Sequence, residues 1–217
     1  MSLRVGVLAS GAGTNLQAIL DRVQGHEGVE VVAVGSDKPA AQALARAEAA
    51  GVATHAFPVE RRADPTRGGP SPAAFPDRVA RDEAMAAWLA ERGVELVVLA
   101  GYMQLLSPVF LDRFPQRVIN VHPALLPAFP GIRAVEQGLE YGVKVFGVTV
   151  HFVDEGVDTG RIILQRAADL PAATDAEEVR AALRPIEHDL LCEAVGLIAR
   201  DAVRLDPGHP RRVLVAT

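Results

Sequence analysis

The chain of 217 residues predicts an α/β fold, a doubly wound and mostly parallel sheet with helices on both faces. Three observations carry that prediction. Short β-branched runs alternate with helical stripes from the first residues onward, the pattern of βαβ units. The first run opens through a glycine-rich turn directly into a helix. Hydrophobic content is 49% while aromatic content is only 5%, so the core is built from Ala, Val and Leu. That length suits one domain with a large core.

The elements follow in order. Leu3–Ala9 is a short apolar strand, and Ser10-Gly-Ala-Gly-Thr-Asn15 is a turn. Apolar residues at 16, 19, 20 and 23 make a helical stripe over Leu16–Val23. Val29–Gly35 is a second strand, Ala40–Ala50 a second helix stopped by Gly51, and His55–Val59 a third strand. Residues 60–77 break the pattern. Glu60 to Pro72 is rich in Pro, Gly and charge, which predicts a mobile surface loop. Arg78–Arg92 is helical with Gly93 as its stop, and Leu96–Ala100 is a strand. A short helix follows near Pro108–Arg113, then the strand Val118–Val121, a helix over Ala134–Tyr141 and a long strand over Val145–Val153. Ile162–Asp169 reads as a hairpin-like partner of that strand. Thr174-x-x-Glu177 is a capping box opening a C-terminal helix, which Pro185 is expected to kink or divide. Val213-Leu-Val215 reads as an edge strand or contact arm. No internal repeat is present.

Bulk properties exclude several classes. Net charge is −5, from 22 basic and 27 acidic residues, which gives no footprint for a polyanionic partner such as nucleic acid. The single cysteine, Cys192, rules out an intrachain disulfide and a thiolate-rich metal site. It lies in the apolar stretch Asp189–Ile198 and reads as a core residue. No leader and no apolar run near ~18 residues is seen, so the expectation is a soluble cytoplasmic protein that does not act on a membrane.

Chemistry concentrates in Asn120-Val-His122-Pro and in Asp158 of the stretch His151 to Gly160. Residues two apart on a strand point to the same side, so Asn120 and His122 share a face. An amide donates to an oxygen that gains charge, an imidazole does the same and moves protons near neutral pH, and a carboxylate orients or deprotonates the attacking group. A lone Asn-x-His is more often structural. The prolines of Pro123-Ala-Leu-Leu-Pro127 and the Pro130-Gly131 turn raise its weight, because they predict a stiff loop behind His122. In Gly11-Ala12-Gly13-Thr14-Asn15, a strand meets a helix N-terminus, which favours an anion. The third glycine of the dinucleotide fingerprint is missing, as is Gly-Lys-Ser/Thr. The loop therefore suits a single phosphate rather than a dinucleotide.

Four motifs in order resemble the phosphoribosylglycinamide formyltransferases of the folate-dependent formyltransferase family. They are Ala9-Ser-Gly-Ala-Gly-Thr-Asn-Leu-Gln17, Val97 to Pro108 (Val-Val-Leu-Ala-Gly-Tyr-Met-Gln-Leu-Leu-Ser-Pro), Asn120-Val-His-Pro-Ala-Leu-Leu-Pro127, and Gly147-Val-Thr-Val-His-Phe-Val-Asp154 through Asp158-Thr-Gly160. The resemblance covers nearly the whole chain. It implies a formyltransferase-type Rossmann-like fold and a single domain over 1–217, with a phosphate-binding half of about 1–100 and a folate and catalytic half of about 101–217. It implies transfer of the formyl group of 10-formyltetrahydrofolate, a co-substrate, to the amine of glycinamide ribonucleotide in purine biosynthesis, with no metal required. Asn120, His122 and Asp158 match the catalytic triad. Gly11, Ala12, Gly13, Thr14 and Asn15 match the ribonucleotide phosphate loop, and Arg184 and Glu187 lie where the glycinamide end is contacted. On the folate side stand Arg78, Met103, Gln104, Leu105, Leu106, Asn120, Val153, Asp154, Glu155, Gly156 and Val157. A homodimer is left open.

Three departures stand out. Residues 61–74 look like an insertion. Gln104 replaces a common Arg. Arg133 replaces a His that relatives place near the catalytic carboxylate. The rivals are formyltetrahydrofolate deformylase without a regulatory domain, methionyl-tRNA formyltransferase, for which the chain is too short and too acidic, and a non-enzymatic phosphate-binding module.

Overall fold

The computed structural model describes residues 2–26, 28–59 and 75–216. The expected mobile loop at 60–77 falls mostly outside these residues. The elements are β1 (Leu3–Leu8), α1 (Thr14–Arg22), β2 (Val29–Ser36), α2 (Gln42–Ala49), β3 (Ala53–Ala56), α3 (Arg78–Glu91), β4 (Leu96–Leu99), α4 (Pro108–Arg113), β5 (Val118–His122), α5 (Ala134–Tyr141), β6 (Val145–Phe152), β7 (Ile162–Asp169), α6 (Ala176–Ala199), β8 (Val203–Leu205) and β9 (Val213–Val215). The seven-stranded sheet has the order β3-β2-β1-β4-β5-β6-β7, and β8 and β9 form a separate pair. The α/β expectation therefore holds. Two compact units are distinguished, residues 4–17 with 31–118, and residues 1–3, 18–30 and 119–217.

In the first unit, β1 runs parallel to β4 with Val5 opposite Leu96, and β2 runs parallel to β3 with Ala33 opposite Ala53. Both faces of such strands are covered, so they read as continuous apolar runs. Val5, Val7, Leu8, Val97 and Val98 are completely buried. A Cβ on Gly6 would meet Leu89 Cδ2 at 2.9 Å, so a glycine in β1 lets α3 pack against the strand. Asp77 caps α3 by accepting from the Ala80 N–H at 2.9 Å. The third strand lies at 53–56 rather than the expected 55–59. Pro58 lacks the N–H that would continue the ladder, and Val59 forms only an isolated bridge to Phe75.

The second unit is antiparallel where the first is parallel. β5 pairs with β6, and β6 with β7 through a register shift between Val150 and His151. α6 packs on β6 and β7. Two expectations change here. The cap of α6 is Asp175, whose carboxylate accepts from the N–H groups of Glu177 and Glu178 at 3.0 and 3.1 Å, not Thr174. A carboxylate at a helix N-terminus gains from the helix dipole as well as from the hydrogen bonds. Pro185 does not divide the helix, which runs unbroken from Ala176 to Ala199. Burial of Val179, Leu183, Leu190, Leu191, Val195 and Ile198 along one side offsets the missing hydrogen bond. Cys192 is buried and free. Val213–Val215 is an edge strand, as expected, and pairs antiparallel with the unanticipated β8. Among the described residues no helix is long and apolar enough to cross a membrane, and no His, Cys, Asp and Glu cluster could hold a metal ion.

Candidate active site

Antiparallel pairing of β5 with β6 sets Asn120 opposite His151 and His122 opposite Thr149. Asp158 lies beyond β6, in the loop before β7, with φ of +52°. That left-handed conformation is strained for Asp and persists only where the surroundings hold it. Here they do. The Gly131 N–H donates to Asp158 Oδ2 at 2.7 Å. Within the loop, Asp154 accepts from the Gly156 N–H at 3.1 Å and from the Thr159 hydroxyl at 2.6 Å. A Cβ on Gly160 would stand 1.6 Å from the Phe152 carbonyl oxygen, so only glycine fits where the loop rejoins the sheet.

The side chains converge. Asn120 Nδ2 is 3.4 Å from Asp158 Oδ1 and 3.2 Å from His151 Nε2. His122 Nδ1 is 3.3 Å from Asp158 Oδ2, and His151 Nε2 is 3.5 Å from Asp158 Oδ1. His151 Nδ1–H donates to the Phe152 carbonyl at 2.8 Å. Nε2 of the same ring lies between the Asn120 amide and the Asp158 carboxylate, so it accepts from the amide when the ring is neutral and donates to the carboxylate when it is protonated. His122 Nε2–H donates to the Phe129 carbonyl at 2.9 Å. Both nitrogens of His122 thus face acceptors. Burial pushes the Asp158 carboxyl up. The His151 hydrogen bond, the Gly131 N–H and the charges of His122 and His151 outweigh it, and the carboxyl lies below its ordinary 3.8.

The loop behind His122 is stiff for a reason beyond its prolines. Thr149 Oγ1 donates to the Ala124 carbonyl at 2.6 Å and accepts from the Leu126 N–H at 3.1 Å. Gln165 Nε2 donates to the Leu126 carbonyl at 2.8 Å and to Thr149 Oγ1 at 2.9 Å.

In the first unit, Gly11–Asn15 leads into α1. Gly13 has φ of +72°, and a Cβ there would lie 2.8 Å from Ala43 Cα. The Ala43 N–H donates to the Gly11 carbonyl at 3.1 Å, and Arg46 Nε donates to the Ala12 carbonyl at 2.8 Å. Two successive loop carbonyls are thereby turned toward α2. In the 101–107 segment, the side chains of Met103 and Leu105 are 66% and 55% exposed, and Gln104 is exposed as well. The Met103 N–H donates to Ser10 Oγ at 2.9 Å. Arg78 opens α3 with an exposed side chain.

Of the residues singled out from sequence, Asn120, His122 and Asp158 form one cluster. Glu187, half-buried, and Arg184, exposed and 3.7 Å from Glu177, lie on α6 of the same unit. Val153 is half-buried, and Asp154, Glu155, Gly156 and Val157 are exposed along the loop that carries Asp158. Arg133 is exposed at the start of α5 with φ of 61°, and the imidazoles beside Asp158 are those of His122 and His151. His151 escaped sequence reasoning. The signal that could have found it was the β5–β6 register, because a histidine opposite Asn120 has to meet it.

A sequence model of the formyl transferase family matches residues 3–195. A phosphoribosylglycinamide formyltransferase from Mycobacterium tuberculosis is 42% identical over 200 residues, spanning 92% of this chain and 86% of its own. The Bacillus subtilis phosphoribosylglycinamide formyltransferase is 38% identical over 186 residues, spanning 85% of this chain and 89% of its own. The crystal structure of glycinamide ribonucleotide transformylase 1 from Symbiobacterium toebii superposes with a TM-score of 0.89 at 44% identity, covering 100% of this chain and 95% of that one. A formyltetrahydrofolate deformylase from Burkholderia mallei gives a TM-score of 0.81 at 28% identity, and this chain covers 71% of it.

Proposed function

The chain belongs to the formyl transferase family, and from that premise we propose that Asn120, His122 and Asp158 carry out its group transfer. The reaction is that of a phosphoribosylglycinamide formyltransferase, movement of the formyl group of 10-formyltetrahydrofolate to the amine of glycinamide ribonucleotide. One observation carries the assignment of roles. The amide and both imidazoles contact the same carboxylate, none farther than 3.5 Å.

The amine nitrogen attacks the formyl carbon, and the carbonyl electron pair moves to oxygen. The 3.4 Å contact with Asp158 is the longer of the two that the Asn120 amide makes. Giving it up frees one N–H of Asn120 for the oxyanion while His151 keeps the amide oriented. Asp158 is ionised at the outset, supports protonated His122, and accepts the amine proton directly or through water. Collapse of the tetrahedral intermediate breaks the bond from carbon to the folate nitrogen, which leaves with a proton from His122. His122 releases one of its two acceptors to deliver it. The products are the formamide and tetrahydrofolate, and the charges balance.

The Gly11–Asn15 loop takes the ribonucleotide phosphate through backbone N–H groups and the α1 N-terminus. Arg184 and Glu187 face the glycinamide end. Arg78, Met103, Gln104, Leu105, Leu106 and residues 153–157 take the folate. The whole chain acts as one formyltransferase domain, in the cytoplasm, on small molecules and without nucleic acid or a membrane surface. The test compares turnover of formyl-folate with glycinamide ribonucleotide, with methionyl-tRNA and with water alone. Ribonucleotide-dependent turnover is expected. Equal turnover with water alone would make the protein a deformylase.

A further inference from the structure

Arg81 and Asp82 are adjacent on α3 and both are buried, at 1% and 0% exposure. Neighbouring helix positions do not face each other, yet these two side chains pair directly. Arg81 Nε donates to Asp82 Oδ1 at 2.8 Å, and Nη2 lies 2.6 Å from the same oxygen. A buried ion pair is weak evidence for stability, because desolvation of both charges cancels most of their attraction. Apolar side chains of similar size would fill the space as well. What they could not do is hold the backbone that this pair holds.

The second carboxylate oxygen of Asp82 accepts from the Ser107 N–H at 2.6 Å. Arg81 Nη2 donates to the Leu105 carbonyl at 3.2 Å. The Arg81 guanidinium also lies 6.0 Å from the centre of the Tyr102 ring. Among the described residues, these further partners of the pair all lie in one segment. With the Ser10 hydroxyl under the Met103 N–H, that backbone is pinned at 103, 105 and 107. Between the pins, Met103 and Leu105 display large apolar side chains to solvent. Exposed apolar groups on a rigid backbone are what a planar heteroaromatic ring packs against.

We infer that Arg81 and Asp82 are a positioning pair that sets the 101–107 segment and, through it, the affinity for the folate ring. The inference rests on the reading of Met103–Leu106 as a folate contact. Neither residue touches the reacting atoms, so the pair acts on ground-state binding of one substrate only.

The test uses the full chain with the double substitution Arg81→Met/Asp82→Leu, which strands no charge. A second variant, Ser107→Pro, removes the N–H that Asp82 accepts, together with the Ser107 hydroxyl. Ser107 has φ of −81° at the start of α4, so proline fits its backbone. Each is measured for thermal midpoint, for KM toward formyl-folate and toward the ribonucleotide, and for amide exchange of residues 101–107. In both variants the expected results are a formyl-folate KM raised about tenfold, a ribonucleotide KM within about twofold, and faster exchange in the segment; the midpoint stays near-parental in the double variant and falls in Ser107→Pro, which leaves a buried Asp82 oxygen without its donor. Unchanged exchange and unchanged folate KM in a folded variant would overturn the inference. So would equal rises in both KM values, the mark of general loosening. If the double variant fails to fold, Ser107→Pro decides alone. Parental protein with no folate turnover would refute the functional reading itself. The exchange comparison would then report the backbone clamp separately.

Discussion

Replacing Asp158 with Asn keeps the shape of the side chain and removes its charge. The remaining amide oxygen still accepts from the Gly131 N–H, now 2.7 Å from Oδ2, so the loop holds its place. The loss falls on His122. At the observed 3.3 Å, a unit charge pair in an effective dielectric of about 20 gains about 5 kcal/mol. The Asp158 side chain is 14% exposed, so solvent screens part of that. If half survives, about 2.5 kcal/mol of support for the imidazolium disappears, about 70-fold in rate. Loss of the proton acceptor adds to this. The parent carboxyl lies below 3.8, so it is charged throughout the neutral range in which the comparison is made. The assay is steady-state formyl transfer with both substrates varied. Asp158→Asn should lower kcat at least about 70-fold while KM for formyl-folate moves less than about threefold. A kcat within about fivefold of the parent would refute the charge argument.

Other consequences concern the remaining parts of the molecule. Gly13→Ala forces a left-handed alanine into contact with Ala43 and should raise KM for the ribonucleotide at least about tenfold, against a penalty of about 1–2 kcal/mol for the backbone alone. Gly25→Ala, at the same φ of +72° with nothing within 4 Å of its Cβ, should cost stability but leave that KM unchanged. Burial, then the charges of Arg22 and Arg184, hold the His188 imidazole below 6.5 against the pull of Asp189. Protons bind the unfolded chain first, so stability should be full above about pH 6.5 and fall as the pH drops through it. Thermal midpoints of His188→Gln should show a flatter dependence, and an unchanged slope would remove His188 from the account. Burial pushes the Cys192 thiol up to about 11. A disulfide exchange reagent at about pH 8 should therefore label it only after unfolding, and rapid labelling of native protein would contradict the buried placement.

Elements whose information is local were legible in the sequence. The stripe over Ala134–Tyr141, the strand Ile162–Asp169 and the short helix at Pro108–Arg113 fall where periodicity and proline put them. The third strand shifted because one proline outranks a run of β-propensity. Pro185 misled in the other direction, since a helix buried along its length tolerates the loss of one hydrogen bond. Asn120, His122 and Asp158 were visible because strand ends and loop chemistry mark them. His151 was not, because its importance depends on a cross-strand register set by tertiary pairing. Arg81 and Asp82 were hidden for a related reason. Two charged residues inside a helical stripe read as its solvated side, and only the backbone brought over them by the 101–107 segment reverses that.

The central claim is that the reacting carbon sits on the cluster around Asp158. A crystal structure of the protein with glycinamide ribonucleotide and an unreactive carbonyl analogue of formyl-folate tests it directly. The expected result places the analogue's carbonyl oxygen about 3 Å from Asn120 Nδ2, with the ribonucleotide amine on the Asp158 side and the phosphate on the N–H groups of Gly11–Asn15. A carbonyl bound away from Asn120, His122 and Asp158, with both substrates fully occupied, would contradict it.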